Sequence, residues 1–322
     1  MKYYKMASDN GYVDAMVKYS IMIRDGIENE VKPNKDEFFR YLKMAADKGH
    51  IISLYTFGCF LINGTEIPAN IDLGIKYIKE AIEKGSEQAM LLYAKFLINE
   101  NYHHVNVIES MKYFQMAADH GSIEAMLLYG KFCYLGQYVD IDKIKAEKYF
   151  KMAADKGDPQ AMFSYSVILF EGDENPANYK KATVYIKKAA GKGFVKAMSY
   201  YGKLLLKGEK VPLNIKESLY YFKMAADNGD VNSMIIVSDI FKNGNGNPVD
   251  KKQAAKYSKM AADNGSAISM AQYGIALFNG DGVEPNKKEA VRYLKMAADK
   301  GNIQCMKIYA LFIKEHHKEI DI

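Results

Sequence analysis

KESLYYFKMAADNGDVNSMIIVSDIFKNGNGNPVD, residues 216–250, is the stretch from which the fold can be read. Counted from Tyr221, the residues Ser218, Phe222 and Ala225 complete the three-and-four spacing of one helix face, and Gly229 ends that helix. Asp230 suits the cap of a second helix, Gly244 closes it, and Asp250 starts the next unit. In the fifth unit the second helix shows its face as Ala161, Met162, Tyr165, Ser166 and Leu169. The stretch therefore predicts a helix, a tight turn, a second helix and a loop.

The same unit recurs along the chain. Tyr41, Tyr77, Tyr113, Tyr149, Tyr185, Tyr221, Tyr257 and Tyr293 are each 36 residues from the next, and Tyr3 precedes them by 38. The turn glycine stands in all nine units, at Gly11, Gly49, Gly85, Gly121, Gly157, Gly193, Gly229, Gly265 and Gly301, as a left-handed residue after a helix requires. Second helices are expected to be capped by Ser86, Ser122, Asp158, Asp230, Ser266 and Asn302. First helices are expected to start at Asn34, Asn70, Asn106, Asp142, Asn178, Asn214, Asp250 and Asn286, so that repeats begin near 34, 70, 106, 142, 178, 214, 250 and 286. Glu stands three residues after Asn34, Asn106, Asn214 and Asn286, the pattern of a capping box.

Repetition accounts for most residues that resemble chemistry. Of 18 methionines, 15 occupy two repeat positions, and 16 of 25 tyrosines occupy two others, which makes both sets packing residues rather than a cofactor box or a base-stacking platform. Cys59, Cys133 and Cys305 fall at helix positions that are small or apolar elsewhere and are expected to be buried thiols. The start, MKYYKMASDNG, does not read as a secretory signal, and the longest nearly apolar run, AMLLYAKFLI from Ala89, is too short to cross a bilayer. These features imply a cytoplasmic, reducing setting and no membrane insertion. The first unit begins in mid-helix, which suggests further repeats or a domain before residue 1.

No catalytic, cofactor or metal motif emerges. His103 and His104 in the divergent loop NENYHHVN lack a companion carboxylate or cysteine motif, and His316 and His317 belong to a polar finish. The loops NGNGNP and NGDG are repeat turns rather than phosphate cradles, because no Lys-Ser or Lys-Thr pair follows at the required spacing. A net charge of +5, with basic rows interleaved by acids, argues against a nucleic-acid partner.

Units such as KAEKYFKMAADKGDPQAMFSYSVILFEG and KKEAVRYLKMAADKGNIQCM resemble Sel-1-like repeats, relatives of the tetratricopeptide repeat with a longer loop. The resemblance covers essentially the whole chain. It implies an all-α fold, a right-handed α/α superhelix of about nine 36-residue helix-turn-helix repeats running as a single body over 1–322. Members of that family are typically adaptors and scaffolds, in protein degradation at the endoplasmic reticulum, in control of cell-wall synthesis, in signalling and in bacterial host interaction. One cysteine-rich bacterial branch is linked to penicillin binding and hydrolysis, but its paired cysteines in each unit are missing here.

The exposed face of the first helices is where function is expected. Opposite the core, the place one before the tyrosine holds Lys2, Arg40, Lys76, Lys112, Lys148, Lys256 and Arg292, with Val184 and Tyr220 as exceptions. Two after it stand Lys5, Lys43, Lys79, Lys151, Lys187, Lys223, Lys259 and Lys295, with Gln115 as the exception. Six after it stand Asp9, Asp47, Glu83, Asp119, Asp155, Asp227, Asp263 and Asp299. In tetratricopeptide-type folds the first helix lines a concave groove, so the resemblance implies a basic groove with an acidic margin, drawing an acidic or phosphorylated protein segment. The plainer reading is a solvated face with Lys and Asp paired at i,i+4, each pair contributing only about 0.3 kcal/mol. A non-catalytic adaptor is thus the expected function. The alternatives are a regulatory arm of a larger signalling protein, for example one with a kinase domain, and a β-lactam-binding enzyme.

Overall fold

A computed structural model describes residues 1–26, 32–101, 105–172, 176–244 and 248–316. Among these residues there are eighteen α-helices and no strand. The chain falls into two compact units, Met1–Lys156 and Gly157–Ile322. The first holds α1 (Lys2–Asp9), α2 (Val13–Asp25), α3 (Lys35–Asp47), α4 (Ile51–Asn63), α5 (Ile71–Glu83), α6 (Glu87–Leu97), α7 (Val107–Asp119), α8 (Ile123–Leu135) and α9 (Lys143–Asp155). The second holds α10 (Pro159–Glu171), α11 (Pro176–Gly191), α12 (Val195–Lys207), α13 (Ile215–Asp227), α14 (Val231–Asn243), α15 (Lys251–Asp263), α16 (Ala267–Asn279), α17 (Lys287–Asp299) and α18 (Ile303–His316). Odd-numbered helices are the first helices of the repeats and even-numbered helices the second.

The expected helix boundaries follow from local chemistry. Asn34, Asn70, Asn106, Asp142, Asn214, Asp250 and Asn286 each accept a hydrogen bond from the backbone N–H three residues on. Ser86, Ser122, Asp158, Asp230 and Ser266 do the same for second helices. Between paired helices, Gly229 sits at φ +92 while its N–H donates to Ala226 O and that of Asp230 to Ala225 O, closing the carbonyls that α13 leaves free. The equivalent glycine is left-handed in all nine units.

Four expectations need correction. The capping boxes are half made: Glu109 and Glu217 meet the side-chain amides of Asn106 and Asn214, at 3.0 and 3.2 Å, instead of the backbone N–H. That N–H is already spent, since those of Asn106 and Asn214 donate to Leu97 O and Leu205 O of the preceding helix. Helix α11 begins at Pro176, ahead of the expected Asn178 cap, because proline's fixed φ suits a first helical turn. Tyr3 is 81% exposed, whereas Tyr41 at the same place of the next repeat is buried. Cys59 is only partly buried, whereas Cys133 and Cys305 are buried as expected, and all three are free thiols. Tyr102, His103, His104, Asn245, Gly246, Asn247 and His317 lie outside the described residues.

The core is built from a repeated aromatic contact. The first-helix tyrosine meets the ring at the equivalent place of the preceding second helix edge to face: Tyr41 on Tyr19, Tyr77 on Phe57, Tyr113 on Tyr93, Tyr149 on Tyr129, Tyr185 on Tyr165, Tyr221 on Tyr201 and Tyr293 on Tyr273. Ring centroids are 4.8–5.1 Å apart in every case, a geometry favoured by the ring quadrupoles beyond their burial. Val237 interrupts the series, and there Tyr257 packs against Phe241 instead. Small residues let the helices approach: a Cβ on Gly58 of α4 would lie 2.8 Å from Ile78 Cδ1 and 3.0 Å from Gly74 O of α5.

Candidate functional site

Each of the sequence-nominated residues lies on the outer face of a first helix. Lys43, Lys79, Lys112, Lys148 and Lys151 in the first unit, and Lys187, Tyr220, Lys256, Lys259, Arg292 and Lys295 in the second, are exposed, while Lys223 is half-buried. What distinguishes them is how far each charge is already engaged.

The acidic row is not a free margin. Tyr41 Oη donates to Asp9 Oδ1 and Tyr77 Oη to Asp47 Oδ1, both at 2.5 Å. Tyr149 donates to Asp119 at 2.9 Å, Tyr293 to Asp263 at 3.0 Å and Tyr257 to Asp227 at 3.4 Å. These carboxylates tie one first helix to the next. Burial alone would push Asp47 and Asp263 up, but hydrogen bonds from Lys43 with Tyr77, and from Lys259 with Tyr293, hold both below the ordinary carboxylate value.

Much of the basic row is spent as well. Lys43 pairs with Asp47 at 2.6 Å, Lys151 with Asp155 at 3.1 Å and Lys259 with Asp263 at 2.7 Å, all at i,i+4. Lys148 lies 3.8 Å from Asp119, and Arg292 pairs with Glu289. Like Lys148–Asp119, the pairs Lys5 with Glu37 at 2.7 Å and Lys187 with Glu217 at 2.8 Å cross between repeats. Hydrogen bonds to Asp47, Glu217 and Asp263 hold Lys43, Lys187 and Lys259 above their ordinary value. The ammonium groups two after the tyrosine also lie over second-helix rings: Lys5 over Tyr19, Lys79 over Tyr93, Lys187 over Tyr201 and Lys223 over Phe241, at 5.3–5.9 Å. Gln115 breaks the row yet keeps the contact, accepting a hydrogen bond from Tyr129 Oη at 3.1 Å.

Lys223, Lys256 and Lys295 of the second unit make no ion pair among the described residues. The Lys256 ammonium stands 5.3 Å from the Tyr257 ring centroid. Beside them Tyr220 is 59% exposed and Val184 51% exposed, where basic residues stand in the other repeats. The acidic row has a gap here that sequence reasoning missed, since Gly191 occupies the place six after Tyr185. The signal was present in the 36-residue register. Lys187–Glu217 joins α11 to α13 and Tyr257–Asp227 joins α13 to α15, so these residues share one continuous face.

Among the described residues there is no group of three or more His, Cys, Asp or Glu side chains placed to hold a metal ion, and no helix is long and apolar enough to cross a membrane.

A family model described as Sel1 repeat matches residues 13–50, 58–86, 103–122, 123–158, 159–194, 195–230, 232–266 and 267–302. Among solved structures, a Sel1 repeat protein from Oxalobacter formigenes is 23% identical, with a TM-score of 0.74 over 95% of this chain and 88% of that one. A protective antigen of uropathogenic Escherichia coli displaying an SLR fold is 22% identical, with a TM-score of 0.74 over 96% of this chain and 66% of that one. The chain thus spans just under two thirds of the length of the Escherichia coli relative. At these identities the likeness shows the fold, the all-α helical repeat expected from the sequence. Comparison with curated proteins gives no match.

Proposed function

Since the chain belongs to the Sel1-repeat family, whose members generally serve as protein-protein interaction scaffolds, we propose that it is a non-catalytic adaptor and that an acidic or phosphorylated protein segment binds across the first-helix face of α11, α13 and α15. The observation that carries this reading is that Lys223 and Lys256 pair with no carboxylate among the described residues, on a face whose acidic row also lacks a member at Gly191. An acidic partner would supply the missing countercharge. Tyr220 and Val184 offer it an apolar contact where every other repeat offers a cation. Lys43, Lys151 and Lys259 contribute less, because a partner must first displace an existing ion pair. A reducing, cytoplasmic setting fits three free thiols.

The test is fluorescence anisotropy with a panel of acidic and phosphoserine peptides that each carry one aromatic residue. Lys223→Glu with Lys256→Glu should abolish binding and its salt dependence, Tyr220→Ala should weaken it, and Lys259→Glu should change it little. Equal affinity in the double variant and the parent would remove this face as the site.

A further inference from the structure

The repeat pattern has a hole in it. In several units three apolar positions fill the space between the first and second helix: two before the tyrosine, one after it, and the residue three beyond the equivalent second-helix ring. They are Phe39, Leu42 and Phe60 in one unit, Ile75, Ile78 and Phe96 in the next, then Met111, Phe114 and Phe132. The rings touch, with centroids of Phe39 and Phe60 5.0 Å apart and those of Phe114 and Phe132 5.3 Å apart. Farther along the trios are Leu219, Phe222 and Ile240, and Val291, Leu294 and Phe312. In the unit between these two, the same places hold Ala255, Ser258 and Ala276. Each is the smallest residue found at its position in the chain.

The structure has a cavity of about 290 Å³ at that place, lined by Ala255, Ser258 and Ala276 with Ser238, Ala254 and Gln272. Its hydroxyls are satisfied internally: Ser238 Oγ donates to Ala254 O at 2.9 Å and Ser258 Oγ to Ser269 O at 3.3 Å. Lys242, Asn243, Lys251 and Asp281 line the cavity as well, while Gln272 Oε1 is buried away from its open space and makes no hydrogen bond among the described residues. The Gln272 amide acts on Asp239, whose carboxyl is pushed up by burial against the pull of Lys242 and that amide. The polar end of the cavity is framed by the Lys251–Asp281 ion pair, 2.7 Å long. Gly282 holds that frame closely, since a Cβ there would lie 2.2 Å from Lys251 O.

We infer that this cavity is a binding site for a compact aromatic group such as an indole or a phenol. The ring takes the place of the bulk that Phe or Leu supplies in sister units. The volume lies at the small end of ligand pockets, which suits one or two fused rings. Such a group can arrive as a free molecule or as the side chain of a partner protein, with the same contacts.

The chain has no tryptophan, so the fluorescence of added indole is read without protein background in that window. Titrating indole into the full chain should give a saturable blue shift. Ser258→Phe restores the sister-unit residue and should abolish binding while raising the melting temperature; Ala276→Phe is the second filling variant if the first does not fold. N-acetyl-tryptophanamide binding as well as indole would mark a partner's side chain as the source, and indole alone a free ligand. No saturable shift with indole, or undiminished binding to a folded filled variant, would each overturn the inference.

Discussion

Tyr77 Oη donates a 2.5 Å hydrogen bond to Asp47 Oδ1, thirty residues earlier and one repeat away. The tyrosine therefore has two roles: its ring packs against Phe57, and its hydroxyl reaches past the core to a carboxylate that Lys43 also holds.

Tyr77→Phe should keep the ring contact and lose the tie, at a cost of about 1 kcal/mol. A double-mutant cycle with Asp47→Asn, read from urea midpoints, should give a coupling of at least about 0.5 kcal/mol. Strictly additive effects would mean that the bond contributes nothing to stability.

Burial, together with the Asp9 acceptor, pushes Tyr41 up to about 12. A group whose folded pKa exceeds its unfolded value, here 10.0, contributes stability that is whole below that unfolded value and is lost as pH rises through the folded one. Helical circular dichroism should therefore fall between about pH 10 and pH 12. In Tyr41→Phe the alkaline loss should be shallower, and an identical profile would count against this coupling.

Gly229→Ala isolates backbone strain. At φ +92 a Cβ there meets no atom within 4 Å, so the expected cost of about 1–2 kcal/mol comes from the left-handed conformation alone. The melting temperature should drop, and an unchanged one would show that the turn can rearrange.

Gly58→Ala isolates packing instead. Alanine is the better helix former by about 1 kcal/mol, yet its Cβ would press on Ile78 and on Gly74 O of the facing helix. A net destabilisation of about 1–3 kcal/mol is expected from thermal or urea denaturation. A gain in stability would mean that α4 and α5 separate without cost.

The helices, their caps and the turn glycines were legible because each depends on residues within one unit: Asp230 caps α14 three residues away, and Gly229 closes the helix it follows. The state of the charges was not legible, because it depends on how neighbouring units stack. On a single helical wheel Asp47 stands clear of the core. Its acceptor role exists only because the next repeat brings Tyr77 over it. Likewise Lys187 looks free until Glu217, on the next first helix, is placed 2.8 Å away. The gap at Gly191 and the shortened trio of Ala255, Ser258 and Ala276 could have been found by comparing each position across units, but what they open had to await the packing of the helices.

The tie between tyrosine and aspartate also bears on how such a chain can change its length. Excising or duplicating one 36-residue block brings an aspartate of one unit to a tyrosine of the same kind in its new neighbour, so the junction finds its partner at once. The loop takes up slack, since Tyr41 and Asp9 are 32 residues apart and bond at the same 2.5 Å as Tyr77 and Asp47, which are 30 apart. Recombination within the gene can thus shuffle whole units without inventing a new interface. The positions that resist shuffling are those where a unit has stopped being interchangeable, as at Gly191 and Ser258.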